Sequence, residues 1–147
     1  MNPFFDMKTR RERYREIERN MERPIESFAQ ALWPFSEPKL ILFVSAAAFL
    51  DYASTFTFLR LNGSTNVVEG GPLAKWALQN GGFAALFLTD ALSVGILISL
   101  AIGARFLFRK LGFAGFGRAA FTFVLIPYAV IILAVIFNNI LLSFVGR

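Results

Sequence analysis

The chain has 147 residues, 56% of them hydrophobic and 17% charged, with a mean hydropathy of +0.56. A soluble domain reaches about 45–50% apolar even with glycine counted, so a soluble globular enzyme and a disordered tail are both excluded. Cysteine and histidine are absent. That removes disulfides, thiolate nucleophiles, Fe–S ligation, the usual haem ligand, His/Cys zinc sites and Ser-His-Asp triads, and leaves an oxygen-ligated cation as the metal chemistry these residue types permit. The net charge of +5 could suggest nucleic acid, but its distribution reads as membrane topology.

Residues 1–37 have the pattern of an amphipathic helical arm. Tyr14, Ile17, Met21, Ile25, Phe28 and Leu32 recur at steps of three and four, which makes one apolar stripe. Opposite charges lie one turn apart at Lys8/Glu12, Glu16/Arg19 and Arg19/Glu22. Pro24 is expected to bend or break the run, or to begin a second short helix. The charged start does not read as a cleavable signal peptide. Acids nearly cancel bases along the arm, so no nucleic-acid partner is expected.

Trp33-Pro34-Phe35 places aromatic groups at headgroup level, and Ser36 followed by Pro38 reads as a cap and first turn. The membrane domain, 38–147, holds three apolar spans at about 39–61, 83–104 and 119–144. Each reaches the ~20 residues that cross a ~30 Å hydrocarbon core. The fold class is therefore all-α: a three-transmembrane-helix bundle with an N-terminal cytoplasmic or interfacial amphipathic arm. Lys and Arg gather in the arm and in the 105–118 connector, at Arg105, Arg109, Lys110 and Arg118, while the 62–82 loop holds only Lys75. The expected setting is the inner (cytoplasmic) cell membrane, with the N-terminus cytoplasmic and the C-terminus outside. Asn62-Gly63-Ser64 matches a glycosylation sequon but reads better as a helix-ending turn.

Small residues mark candidate packing faces. Ala91, Gly95, Ser99 and Gly103 fall four apart on the second span, a seam that allows close helix approach. On the first span Ser45, Ala48 and Tyr52 form one row, and Ala47, Asp51 and Thr55 another. The Gly112–Gly117 stretch lacks the order of a phosphate loop and reads as a flexible interfacial turn.

Two carboxylates lie inside apolar spans. Asp costs about 2.5–3.5 kcal/mol at a helix centre, so a role or a partner is expected for Asp51 and Asp90. Helix rise puts them roughly 15 Å and 10 Å below the same membrane face. Ser54, Thr55, Thr89, Ser93, Asn138 and Asn139 converge on that half, and Glu69 could fold down from the loop. The expected polar cluster is Asp51, Thr55, Glu69, Asp90, Asn138 and Asn139. One use of it is interhelical hydrogen bonding, with the acids bonded to Thr55, Ser93 and Asn139. The other is an oxygen-only site for a cation or small molecule.

Asp51-x-x-x-Thr55, then Glu69-x-x-Pro72-Leu73, then Asn138-Asn139 resembles the DUF5658 family of small prokaryotic multi-pass membrane proteins, over roughly residues 40–145. Gly71 stands where the family has Asn. The resemblance implies a membrane fold and no particular reaction.

The sequence thus points to a non-catalytic accessory or scaffolding subunit of a larger membrane complex. Its partners would be membrane lipids and other membrane subunits or further copies of itself, with the arm docking on protein or on lipid. The alternative is a cation- or small-molecule-binding protein, enzyme or transporter as an oligomer, using the Asp/Glu/Asn cluster.

Overall fold

The computed structural model describes residues 3–62 and 72–145. They form four helices: α1 (Pro3–Leu32), α2 (Glu37–Asn62), α3 (Pro72–Lys110) and α4 (Ala114–Val145), with no strand among the described residues. Three of them, α2, α3 and α4, are long and apolar enough to cross a membrane. Large side chains such as Leu42, Phe49, Leu92, Ile96, Leu100, Ile131 and Phe137 lie exposed along them. So much contiguous apolar surface suits hydrocarbon, not water.

Helix α4 is the centre of the bundle. Its inward stripe runs Phe121, Leu125, Ala129 and Ile132, all buried, at the three- and four-residue steps of a helix face. Helices α2 and α3 each pack along α4 and touch one another least. The row Leu40, Val44, Ala47 faces in from α2, and Leu86, Val94, Ala101 from α3. Leu40, Val44, Val94, Ala101, Phe121, Leu125 and Ala129 make one contiguous core, with Trp33 packed against it.

Helix α1 is continuous through Pro24, against the expected break. A helix-interior proline costs about 3 kcal/mol, and tertiary packing just beyond it offsets this. Ala29 is fully buried and the Phe28 ring lies 5.9 Å from Phe123. A Cβ at Gly115 would sit 3.2 Å from Glu22 Cβ, so the glycine lets α1 come close to the first turn of α4. The face that docks is therefore the one bearing Glu22 and Ala29. Ile17, Met21, Phe28 and Leu32 of the apolar stripe stay exposed, although Phe28 also touches Phe123.

The α1–α2 junction is held by one tryptophan. Trp33 N donates to Ala29 O at 3.0 Å, and its indole Nε1 donates to Ser36 O at 3.1 Å. Its ring meets Phe35 and Phe43. Ser36 O in turn accepts from the amides of Lys39 and Leu40, starting α2 where the cap was expected. An ion pair between Arg105 and Glu37 ties the start of α2 to the end of α3.

Two glycines set the breaks in the apolar part. Gly82 has φ 63° and ψ −151°, a region open essentially to glycine alone, and it kinks α3 just before the expected span start at Phe83. Residues 72–81, expected to be loop, are helical on the other side of that kink. Gly112, at φ 91°, ends α3 in a Schellman motif, with Phe113 N donating to Phe108 O and Gly112 N to Arg109 O. The rest of the stretch read as a flexible turn is already α4 from Ala114, and Gly115 and Gly117 are buried there. Close approach of neighbouring chain segments, not turn geometry, is what uses these two glycines.

Candidate functional site: an intramembrane polar cluster beside an open cleft

The inward stripes change character along the bundle. On α2 the buried row Leu40, Val44, Ala47 continues to Asp51 and then to Ser54 and Thr55. On α3 Asp90 sits one turn from both Leu86 and Val94. On α4 the stripe through Ile132 reaches Asn139 two turns later, and Tyr128 shares its face. The helix period itself brings these polar groups together, because each occupies a position that faces inward two turns earlier.

Asn139 is the node of a hydrogen-bond network that ties α4 to α2. Its Nδ2 donates to Thr55 Oγ1 at 3.0 Å and to Ser54 Oγ at 3.2 Å. Ser54 Oγ donates in turn to the Asp51 carbonyl at 2.9 Å. Amide-to-hydroxyl bonds of this kind between membrane helices contribute about 0.6 kcal/mol each, up to about 1.7. The aspartates take no part as expected hydrogen-bond partners. Asp51 Oδ1 is buried and unbonded. Ser93 donates to Thr89 O and Thr89 to Ala85 O, both back to their own helix, so neither bonds Asp90.

Asp51 and Asp90 are close enough to repel each other electrostatically, and the Tyr128 phenol lies in the field of both. Two like charges in a low-dielectric setting are tolerated only with a counter-charge or a shared proton. No cluster of three or more acidic ligands that could hold a metal occurs among the described residues.

Beside the acids, α2 and α3 part to leave a cleft of about 330 Å³. Ser45, Ala48, Phe49 and Tyr52 wall it from α2, and Phe87, Asp90, Ala91, Val94, Gly95 and Ile98 from α3. Toward the 62–72 connection, aromatic rings close the gap. Tyr52 meets Phe87 edge-on at 5.2 Å, and Phe56 meets Phe83 edge-on at 4.7 Å.

Of the six expected cluster residues, the structure brings together Asp51, Thr55, Asp90 and Asn139. Asn138 faces outward and is exposed, since one residue turns a helix side chain by about 100°. Glu69 lies outside the described residues. The seam Ala91, Gly95, Ser99, Gly103 is not packed by any of the described helices. All four are exposed, and a Cβ at Gly95 or Gly103 would meet nothing within 4 Å. Tyr128 was not among the expected site residues, and Ser54, expected only as a nearby hydroxyl, is a member of the network itself. Tyr128 lies eleven residues, three helical turns, before Asn139, and that spacing is the signal that would have found it.

Comparison with known proteins adds no relative: no family model, curated protein or solved structure matches the chain. The DUF5658 resemblance rests on its motif alone.

Proposed function

We propose that this protein is a non-catalytic accessory or scaffolding subunit of a membrane complex, inserted with the α1 end and the 105–118 turn on the cytoplasmic side of the cell membrane. The observation that carries the reading is the α2/α3 cleft. It is walled by Ser45, Ala48, Ala91 and Gly95, residues small enough to let another helix backbone approach closely, and none of the described helices fills it. Few reactive groups accompany it. Basic residues at both α1-end segments support the orientation.

In this reading the arm holds the subunit at the membrane surface. Its docked face fixes it to α4, while Ile17, Met21, Phe28 and Leu32 extend the apolar surface of α4 at Phe123 into the lipid interface.

The test is the size of the assembly in membranes of the native host, solubilised mildly and run on native gels. The wild type runs well above the mass of one chain. Gly95→Leu adds its Cβ in open space, fills the cleft and shifts the protein to the single-chain position. Ile96→Leu, on the lipid-facing side, leaves the assembly intact. A wild type that runs as one chain contradicts the reading.

A second reading, a cation- or small-molecule-binding protein built on Asp51 and Asp90, is favoured by the unbonded Asp51 Oδ1 beside a second carboxylate. It predicts that Asp51→Asn with Asp90→Asn keeps the assembly but abolishes stabilisation of the purified protein by Na⁺, Mg²⁺ or Ca²⁺ in thermal unfolding.

A further inference from the structure

We propose that the α2/α3 cleft seats a transmembrane helix of a different protein, and that this helix carries a lysine or arginine at the depth of Asp90. The inference rests on the subunit reading and names the chemistry of the partner.

The shape of the cleft admits a helix. Four of its ten wall residues are Ser, Ala or Gly, and Gly95 has open space where a side chain would stand. Small residues on one side let helix axes come within the 8–10 Å of ordinary packing.

The charge of the cleft selects which helix. Asp90 is part of its wall, and Asp51, whose Oδ1 is buried and unbonded, lies on the facing helix outside that wall. Acids within membrane spans pair with a cation or with another polar group. This chain's own described cations are out of reach. Lys75 and Arg105 are each fifteen residues from Asp90, about 22 Å along the helix. Lys39 and Arg60 are twelve and nine residues from Asp51, about 18 Å and 13 Å. They are also engaged at the ends of the bundle: Arg105 with Glu37, Lys39 over the Phe35 ring and Arg60 over the Phe56 ring.

A second copy of this chain would not satisfy the site. Its spans carry no Lys or Arg near mid-membrane, so at the depth of Asp90 it would offer a carboxylate, a hydroxyl such as that of Ser93 or an apolar face, and no counter-charge. Acyl chains of lipid offer neither charge nor hydrogen bonds. A foreign helix with one basic side chain supplies the counter-charge and fills the groove.

The experiment places a photoreactive diazirine amino acid at Ala91 of the full-length chain in membranes of its native host, and sequences the crosslinked peptide. The expected adduct is to a spanning segment of another protein with Lys or Arg near its middle. Its yield falls at least tenfold with Asp90→Asn and with Gly95→Leu, and is kept by Asp90→Glu. Thermal unfolding of each variant in detergent confirms that it is folded, and a variant that is not folded is replaced by Ala48→Leu for the steric arm or Asp90→Ser for the charge arm. An adduct lost with Gly95→Leu but kept by Asp90→Asn, or one to a span without a basic residue, overturns the charge pairing and leaves the docking cleft standing. Adducts only to lipid, or yields insensitive to both substitutions, overturn the cleft as a subunit seat as well. An adduct to a second copy of this chain overturns the foreign partner.

Discussion

The two halves of the bundle are built on different physics. Toward α1, the interior is apolar and dense: Phe121, Leu40, Leu125 and Val44 are almost wholly shielded, α1 is clamped on α4, and Glu37 and Arg105 close the base. Toward the 62–72 connection the same three stripes carry Asp51, Asp90, Tyr128 and Asn139, and α2 stands away from α3. Each half holds one buried carboxylate oxygen without a hydrogen bond among the described residues, Glu22 Oε1 where α1 docks on α4 and Asp51 Oδ1 among the polar groups. What separates the halves is packing: the first is closed, and the second opens on the α2/α3 cleft. Substitutions in the two halves should therefore fail differently.

The largest effect is expected in the apolar half. Phe121→Ala leaves a cavity at the meeting of α2, α3 and α4 and should destabilise the protein by about 3–5 kcal/mol, read as detergent or thermal unfolding. An effect below about 1 kcal/mol would erase the contrast between the halves. Next comes the clamp. A valine at position 115 would press on Glu22 Cβ at 3.2 Å, so Gly115→Val should lift α1 away from α4. Limited cleavage by a glutamate-specific protease at Glu26, on the docked face, would then accelerate at least several-fold while the three spans stay protected. Unchanged cleavage would mean that α1 is held by something other than this contact.

Smaller effects belong to the polar half. Asn139→Leu removes both cross-helix bonds and should cost about 1 kcal/mol. Asn138→Leu, one position along and exposed, should cost nothing measurable, within about 0.5 kcal/mol. Equal losses from the two would place the network on the wrong face.

Much of this was legible in the residues. The three apolar helices and the Ser36 cap follow from hydropathy and capping chemistry, whereas the second apolar helix begins at Pro72 and not at Phe83, which only a kink precedes. Asp51, Asp90, Thr55 and Asn139 stand out because polar groups in apolar runs are costly. What the chain order hid was tertiary. Pro24 signals a break on local grounds, and only the packing of Ala29 on α4 offsets it. Gly115 and Gly117 look like turn residues, yet they serve close contact inside a helix. Asn138 and Asn139 are equivalent in composition, and the register of α4 alone separates them. The Ala91–Gly103 row promises a helix contact, and no described helix of the chain makes it.

Because the chain has no cysteine, a single spin label can be placed at will. Labels at Gly95→Cys and at Ile96→Cys, on neighbouring faces at one depth, can be compared for collision with dissolved oxygen in nanodiscs cut directly from native-host membranes. A seated helix predicts that the label at 95 is shielded at least several-fold relative to 96, and that the shielding vanishes when the pure protein is reconstituted alone in lipid. Equal, high oxygen collision at both positions in native membranes would show the cleft filled with acyl chains and would contradict the account.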